Sequence, residues 1–159
     1  MPRIEESVDI AVGPADVFRF CHDITRRPKW DRQVVGIEML TPLPIRQGAL
    51  LRVDCKPPGG SVFTWDGEYV EFRLSMRSTL RVIDAASSSP FAAGSQLSWE
   101  FTQAGGSTRL TWVWDYRPRG FIARIRDSLG GRASTQRAIR TSLGNLKTML
   151  EGGRRAGAN

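Results

Sequence analysis

The sequence predicts an α+β domain, a curved antiparallel sheet of seven strands wrapped around one long C-terminal helix, with two short helices after the first strand. Three observations carry that prediction. Apolar and polar residues alternate over residues 3–12, apolar and aromatic runs broken by turn residues fill 33–117, and beyond Pro118 the apolar spacing changes to steps of three and four. With 159 residues, 40% of them apolar and 25% charged, the chain has the composition of one soluble domain. A domain of this size buries roughly two thirds of its unfolded surface and needs neither disulfides nor a metal to hold a core.

In the first strand Ile4, Val8, Ile10 and Val12 share one parity, while Glu5, Ser7 and Asp9 take the other. Gly13-Pro14 stops it, and Asp16 to Cys21 begin a short helix with Pro14 suited to its first turn. The run Arg26-Arg27-Pro28-Lys29-Trp30 has room only for a second short helix or a turn. Turn signals at Thr41-Pro42, Pro57-Pro58-Gly59-Gly60, Ser87-Ser88-Ser89-Pro90 and Gly105-Gly106 divide residues 33–117 into a meander. Its strands are expected near 33–41, 48–56, 62–73, 78–86, 94–103 and 107–117. The last two form a hairpin in which Leu97, Trp99 and Phe101 stand beside Leu110, Trp112, Trp114 and Tyr116. After Pro118, Ile122, Ile125, Leu129, Ala133, Gln136, Ile139, Leu143, Leu146 and Leu150 define the core-facing stripe of one helix. Gly130-Gly131 weaken it by about 1 kcal/mol each relative to Ala and mark a kink, a close approach or a break. The domain is expected to span 1–151, followed by a flexible Gly and Arg tail at 152–159.

Several function classes are excluded at this point. Cys21 and Cys55 have no CxxC spacing and His22 is the only histidine, so no zinc framework, metal site or redox motif is expected. The two spare thiols fit a reducing cytoplasm. No stretch approaches the ~20 apolar residues of a membrane span, and the opening MPRIEESVDI has no signal-peptide core. The net charge of +7 is unevenly placed: residues 1–117 are balanced, and the excess lies in 118–159, where eight Arg and Lys147 face only Asp127 and Glu151. Arg124, Arg126, Arg137, Arg140 and Lys147 fall mostly off the apolar stripe. Such a face suits nucleic acid, anionic lipid or an acidic protein, or is simply a solvated helix surface. Nucleic-acid binding leaves the aromatic meander unexplained.

A sheet curled around one helix leaves a cavity between them. The run Val12-Gly13-Pro14-Ala15-Asp16-Val17-Phe18, then Pro28-Lys29-Trp30, Gly48 opening a strand, Ser89-Pro90-Phe91, and Gly105-Gly106-Ser107-Thr108-Arg109-Leu110 together resemble the START-like, or Bet v 1-like, superfamily. Within it the chain is most similar to the polyketide cyclase/dehydrase and lipid-transport group, over about residues 4–151. The resemblance implies a helix-grip fold with a deep apolar pocket, no cofactor, and use as a carrier of lipids or hormones or as a shaper of polyketide chains. Val62-Phe63-Thr64-Trp65 and the run from Ser89 through Trp99 to Trp112 look more specifically like bacterial aromatase/cyclases. Those enzymes present a serine and an arginine at the next two inward positions after the tryptophan, which here are Gly67 and Tyr69.

Candidate ligand-binding residues are Trp30, Trp65, Tyr69, Trp99, Trp112, Trp114 and Gln136. Five tryptophans either fill core or line a rigid clamp for a flat or aliphatic ligand. Tyr69 shares the parity of Phe63, Trp65, Glu71 and Arg73, so a regular strand puts all of them on one face, with Glu71 and Arg73 as an ion pair at the mouth. A bulge would break that face. The Tyr69 phenol is the best catalytic candidate, donating to a ligand carbonyl or, with a lowered pKa, to an enolate. Gln136, the one polar residue on the helix stripe, either binds a ligand head group or bonds a buried water or the sheet. His22 lies next to Cys21 and Asp23, but adjacent helix residues point apart, so no catalytic arrangement is expected there. The function expected is binding or transport of a polyketide, lipid or isoprenoid between sheet and helix. The alternative is a polyketide cyclase, aromatase or dehydratase working on a carrier-bound poly-β-ketone. Acyl carrier proteins are generally acidic, so the basic C-terminal helix suits either such a carrier or an anionic membrane surface.

Overall fold

Residues 1–156 are described by a computed structural model, and their strands form one antiparallel sheet of order β1-β7-β6-β5-β4-β3-β2. The strands are β1 (Arg3–Ile10), β2 (Val34–Met39), β3 (Leu50–Cys55), β4 (Phe63–Arg73), β5 (Arg77–Ala85), β6 (Gln96–Ala104) and β7 (Ser107–Asp115). Each forms where alternation predicts it, because branched and aromatic side chains of one parity need a core on one side only. The β6–β7 hairpin turns on Gly105-Gly106, with Ala104 paired to Ser107 and Gly105 at φ 62. Trp99 therefore faces Trp112 across the hairpin, ring centroids 5.5 Å apart.

Two register shifts separate β4 from β5, one leaving Ile83 unpaired and one leaving Val70 unpaired. The first lies in β5 and does not disturb β4, so Trp65, Gly67 and Tyr69 all stay inward. The second follows Tyr69 and reverses the parity. Phe72 now packs on the core, and Glu71 turns away to Arg77 at 3.1 Å. The expected shared face of Tyr69, Glu71 and Arg73, and the Glu71–Arg73 mouth pair, are thus corrected by one extra residue.

Helices α1 (Pro14–Cys21) and α2 (Arg27–Trp30) follow β1. The C-terminal segment is not one helix. It comprises α3 (Gly120–Arg126), a π turn (Asp127–Gly131) and α4 (Arg132–Ala156). Leu129 (φ −89, ψ 18) and Gly130 (φ 123) leave helical geometry, and a Cβ on Gly131 would lie 2.9 Å from the Arg126 carbonyl oxygen. Only glycine permits that return. The apolar stripe holds in α4, where Ile139, Leu143, Leu146 and Leu150 are buried with Ile10, Val17 and Leu110 in one cluster. It fails before the break: Ile122, Ile125 and Leu129 are 69%, 42% and 82% exposed. Helix α4 also continues past the expected end of the domain at 151, and 157–159 of the expected tail lie outside the described residues.

Candidate functional site

Between sheet and helices a track runs inward in three compartments. Its mouth is a groove of about 350 Å³, bounded by α3 and the π turn, the 87–91 loop, Phe63 and Gln33. Phe91, Trp114, Gln33 and Thr135 line both the groove and an apolar cavity of about 50 Å³, whose walls include Trp65, Leu97, Trp112 and Ile139. Arg27 and Trp65 then separate this outer cavity from an inner one of about 10 Å³, room for a single water, lined by Cys21, His22, Leu51 and Tyr69. The expected deep cavity is thus mostly filled by side chains, and ligand-sized space lies at the mouth. A larger depression of about 580 Å³ by Met1, Pro2, Arg117 and Arg124 is an open dip outside the mouth.

The septum between the two cavities is a buried ion pair. Arg27 at the start of α2 and Asp31 just past its end are 7% and 2% exposed and bond Nε–H to Oδ2 at 2.7 Å. Asp31 also accepts the Gln33 backbone N–H at 3.1 Å, and Ser142 of α4 accepts the Arg32 backbone N–H at 3.0 Å, tying the short helix to α4. The guanidinium lies over three indoles, its carbon 4.4 Å from the Trp99 ring, 5.2 Å from Trp30 and 5.6 Å from Trp112. Removing one member of such a pair strands the other's charge and costs about 3–5 kcal/mol.

At the inner end His22 donates from Nδ1 to the Phe18 carbonyl at 2.7 Å, which leaves Nε2 to accept the Ser78 hydroxyl at 2.8 Å. Its ring is crowded by Phe18, Phe72, Trp99 and Tyr69. Burial among them pushes the imidazole down to about 4, so it is neutral at pH 7. The same burial pushes the Tyr69 phenol up to about 12, with the Arg27 charge opposing it. Burial also raises both thiols, Cys55 to about 12, although Cys55 Sγ accepts the Trp65 indole N–H at 3.2 Å.

The seven residues singled out from the sequence separate into three groups. Trp65, Trp112 and Trp114 line the outer cavity, and Trp65 and Tyr69 the inner one. Trp30 and Trp99 are buried around Arg27. Gln136 is elsewhere: its Nε2 donates to Glu6 Oε1 at 2.7 Å, beside the Arg140–Glu6 bridge at 2.8 Å, so it binds the sheet and lines neither cavity. The Arg27–Asp31 pair was missed, and its signal was the i, i+4 spacing of opposite charges flanking Trp30.

The family model described as polyketide cyclase/dehydrase and lipid transport matches residues 1–151. The chain belongs to that family. None of the curated proteins matches it. Among solved structures it is similar to TTHA0849 from Thermus thermophilus, with a TM-score of 0.78 and 17% identity, covering 96% of this chain and 99% of that one. It is also similar to a START superfamily protein from Mycobacterium smegmatis (0.73, 14% identity, 94% and 97% covered). A third likeness is to the Zhui aromatase/cyclase from Streptomyces (0.67, 15% identity, 94% and 95% covered). At 14–17% identity these likenesses show the fold alone, and the TM-scores show that the helix-grip fold is shared.

The resemblance to aromatase/cyclases implied a serine where this chain has Gly67, and the local packing has no room for one. A Cβ at Gly67 would stand 2.8 Å from Cζ3 of the Trp65 ring and 3.1 Å from Leu80, so the indole occupies the space a serine would need. At position 69 the same resemblance implied an arginine, and the chain has Tyr69. The interior cation of this chain comes instead from α2, as Arg27.

Proposed function

We propose that the protein binds and carries a small hydrophobic molecule, such as a polyketide, lipid or isoprenoid, held between sheet and α4. One observation carries this reading: the groove at the mouth and the tryptophan-lined outer cavity share walls, so apolar surface is continuous from solvent to Arg27. Burial of an aliphatic or aromatic ligand there yields roughly 25 cal/mol for each Å² removed from water. Binding is favoured over a cyclase or dehydratase reaction because Tyr69, the best acid on the track, titrates far above neutrality and serves as a hydrogen-bond donor. The two unpaired, buried cysteines fit a cytoplasmic location. Native mass spectrometry of protein purified without detergent from its own cells tests the reading. A defined hydrophobic mass, one per chain, is expected; a chain that is empty and takes up no apolar probe contradicts it.

We propose further that the mouth loads from an anionic membrane surface. Phe121 is 76% exposed and, with Ile122, Ile125 and Leu129, makes an apolar crest beside the groove. Arg124 and Arg126 flank the crest, and the nearby carboxylate of Asp127 accepts the Tyr116 hydroxyl at 2.5 Å. Large apolar side chains among arginines are the pattern of an interfacial helix. By contrast, Arg140 and Lys147 on α4 are engaged by Glu6 and Glu151. Among the described residues no helix is long and apolar enough to span a bilayer, so contact would be peripheral. Flotation with phosphatidylglycerol vesicles should recover the chain, and the Phe121→Ser/Leu129→Ser variant should lose most of it. Equal recovery with neutral vesicles, or capture only by an acidic carrier protein, would overturn the membrane assignment.

A further inference from the structure

The septum of the track has hydrogen-bond donors without acceptors. Arg27, the one buried arginine among the described residues, gives its Nε–H to Asp31, while its two terminal amino groups donate to no acceptor among the described residues. The side chain lines the outer and the inner cavity alike. Around it the indole N–H groups of Trp30 and Trp99 are buried without a partner. Asp31 is already engaged, Oδ2 by Arg27 and Oδ1 by the Gln33 backbone. A ligand that brings an acceptor to this lining gains a charge-assisted bond to Arg27 without displacing a protein partner.

We propose that Arg27 anchors the carbonyl oxygen of an uncharged ketone, ester or thioester at one end of an apolar ligand, whose remainder lies in the outer cavity and the groove. This rests on the ligand-binding reading and adds the head group. The choice of a neutral carbonyl over a carboxylate follows from Asp31. That residue balances the Arg27 charge, so a second anion would leave the enclosed site with a net negative charge, which low-dielectric surroundings penalise heavily. A neutral oxygen instead accepts a charge-assisted bond and keeps the site balanced. The anchor also draws electron density toward the carbonyl oxygen.

Three probes of similar size test this: naphthyl methyl ketone, ethylnaphthalene and naphthoate, each titrated calorimetrically into the full chain at neutral pH. The ketone is expected to bind about tenfold tighter than either of the others. The stretching band of its isotope-labelled carbonyl should move to lower wavenumber on binding. In the Arg27→Met/Asp31→Asn variant, which removes the charged pair together and retains an acceptor for the Gln33 backbone, the preference and the band shift should both vanish. The wild-type ranking decides the matter even where that variant does not fold. Equal affinity for ketone and hydrocarbon would overturn the Arg27 anchor while leaving ligand binding intact. Tightest binding of naphthoate would overturn the neutral head group. Failure of all three to bind would overturn the ligand-binding reading and this inference with it.

Discussion

His22 and Tyr69 meet at the closed end of the track, ring centroids 5.9 Å apart, and burial moves both away from neutrality in the direction that keeps them uncharged. For His22 this has a stability consequence. Its folded value of about 4 lies below the ordinary 6.5, so between these the unfolded chain binds the proton that the folded one refuses. Stability therefore falls as pH drops through that window, by roughly 2–3 kcal/mol from this group. Urea unfolding of wild type and His22→Gln at pH 7 and near pH 4.5 should show the loss in wild type and a smaller one in the variant; parallel losses would contradict the assignment. Gly67 gives a second residue-level expectation. Gly67→Ser must push the Trp65 ring aside, costing about 1–3 kcal/mol with a changed tryptophan emission, whereas an unaltered melt would show that the ring does not depend on it. Parity placed Trp65 and Tyr69 inward from the sequence alone, because every inserted residue of β4 lies beyond Tyr69. The partner of Gln136 was not legible in the same way: it meets Glu6 across 130 residues, and no local pattern encodes a contact set by the closing of β1 onto α4, whereas the Arg27–Asp31 pair carried its own i, i+4 signal.

At the scale of elements, the seven strands were legible because each must hide one parity, and the turns between them carry glycine or proline. The C-terminal helix was only half legible. Its periodicity shows that an apolar face exists, but not that something covers it. Gly130-Gly131 end the run that packs on the sheet and send α3 outward over the mouth. Since φ 123 at Gly130 lies where other residues are strained, Gly130→Ala should cost at least about 1 kcal/mol locally. Hydrogen exchange should then quicken across α3 and the π turn and stay slow at Leu143 and Leu146. Unchanged protection of α3 would mean that the turn does not hold it in place.

For the whole molecule, the net charge of +7 comes from residues 118–159. Some of the basic excess is engaged along β1 and within α4, where Arg140 meets Glu6, Lys147 meets Glu151 and Arg132 donates to the Arg3 carbonyl. Arg124 and Arg126 lie instead near the mouth, next to the exposed crest of α3. A polarised domain results, closed and aromatic at the end nearest His22, open and basic at the end nearest α3. On the proposed reading, apolar molecules enter from the open end and stop at Arg27. The indole N–H signals of the five tryptophans, followed by NMR during titration with naphthyl methyl ketone, test it most directly. Saturable movement, complete at one equivalent, is expected of the Trp65, Trp112 and Trp114 signals that belong to the outer cavity. Indole signals that stay still at saturating ketone would contradict it.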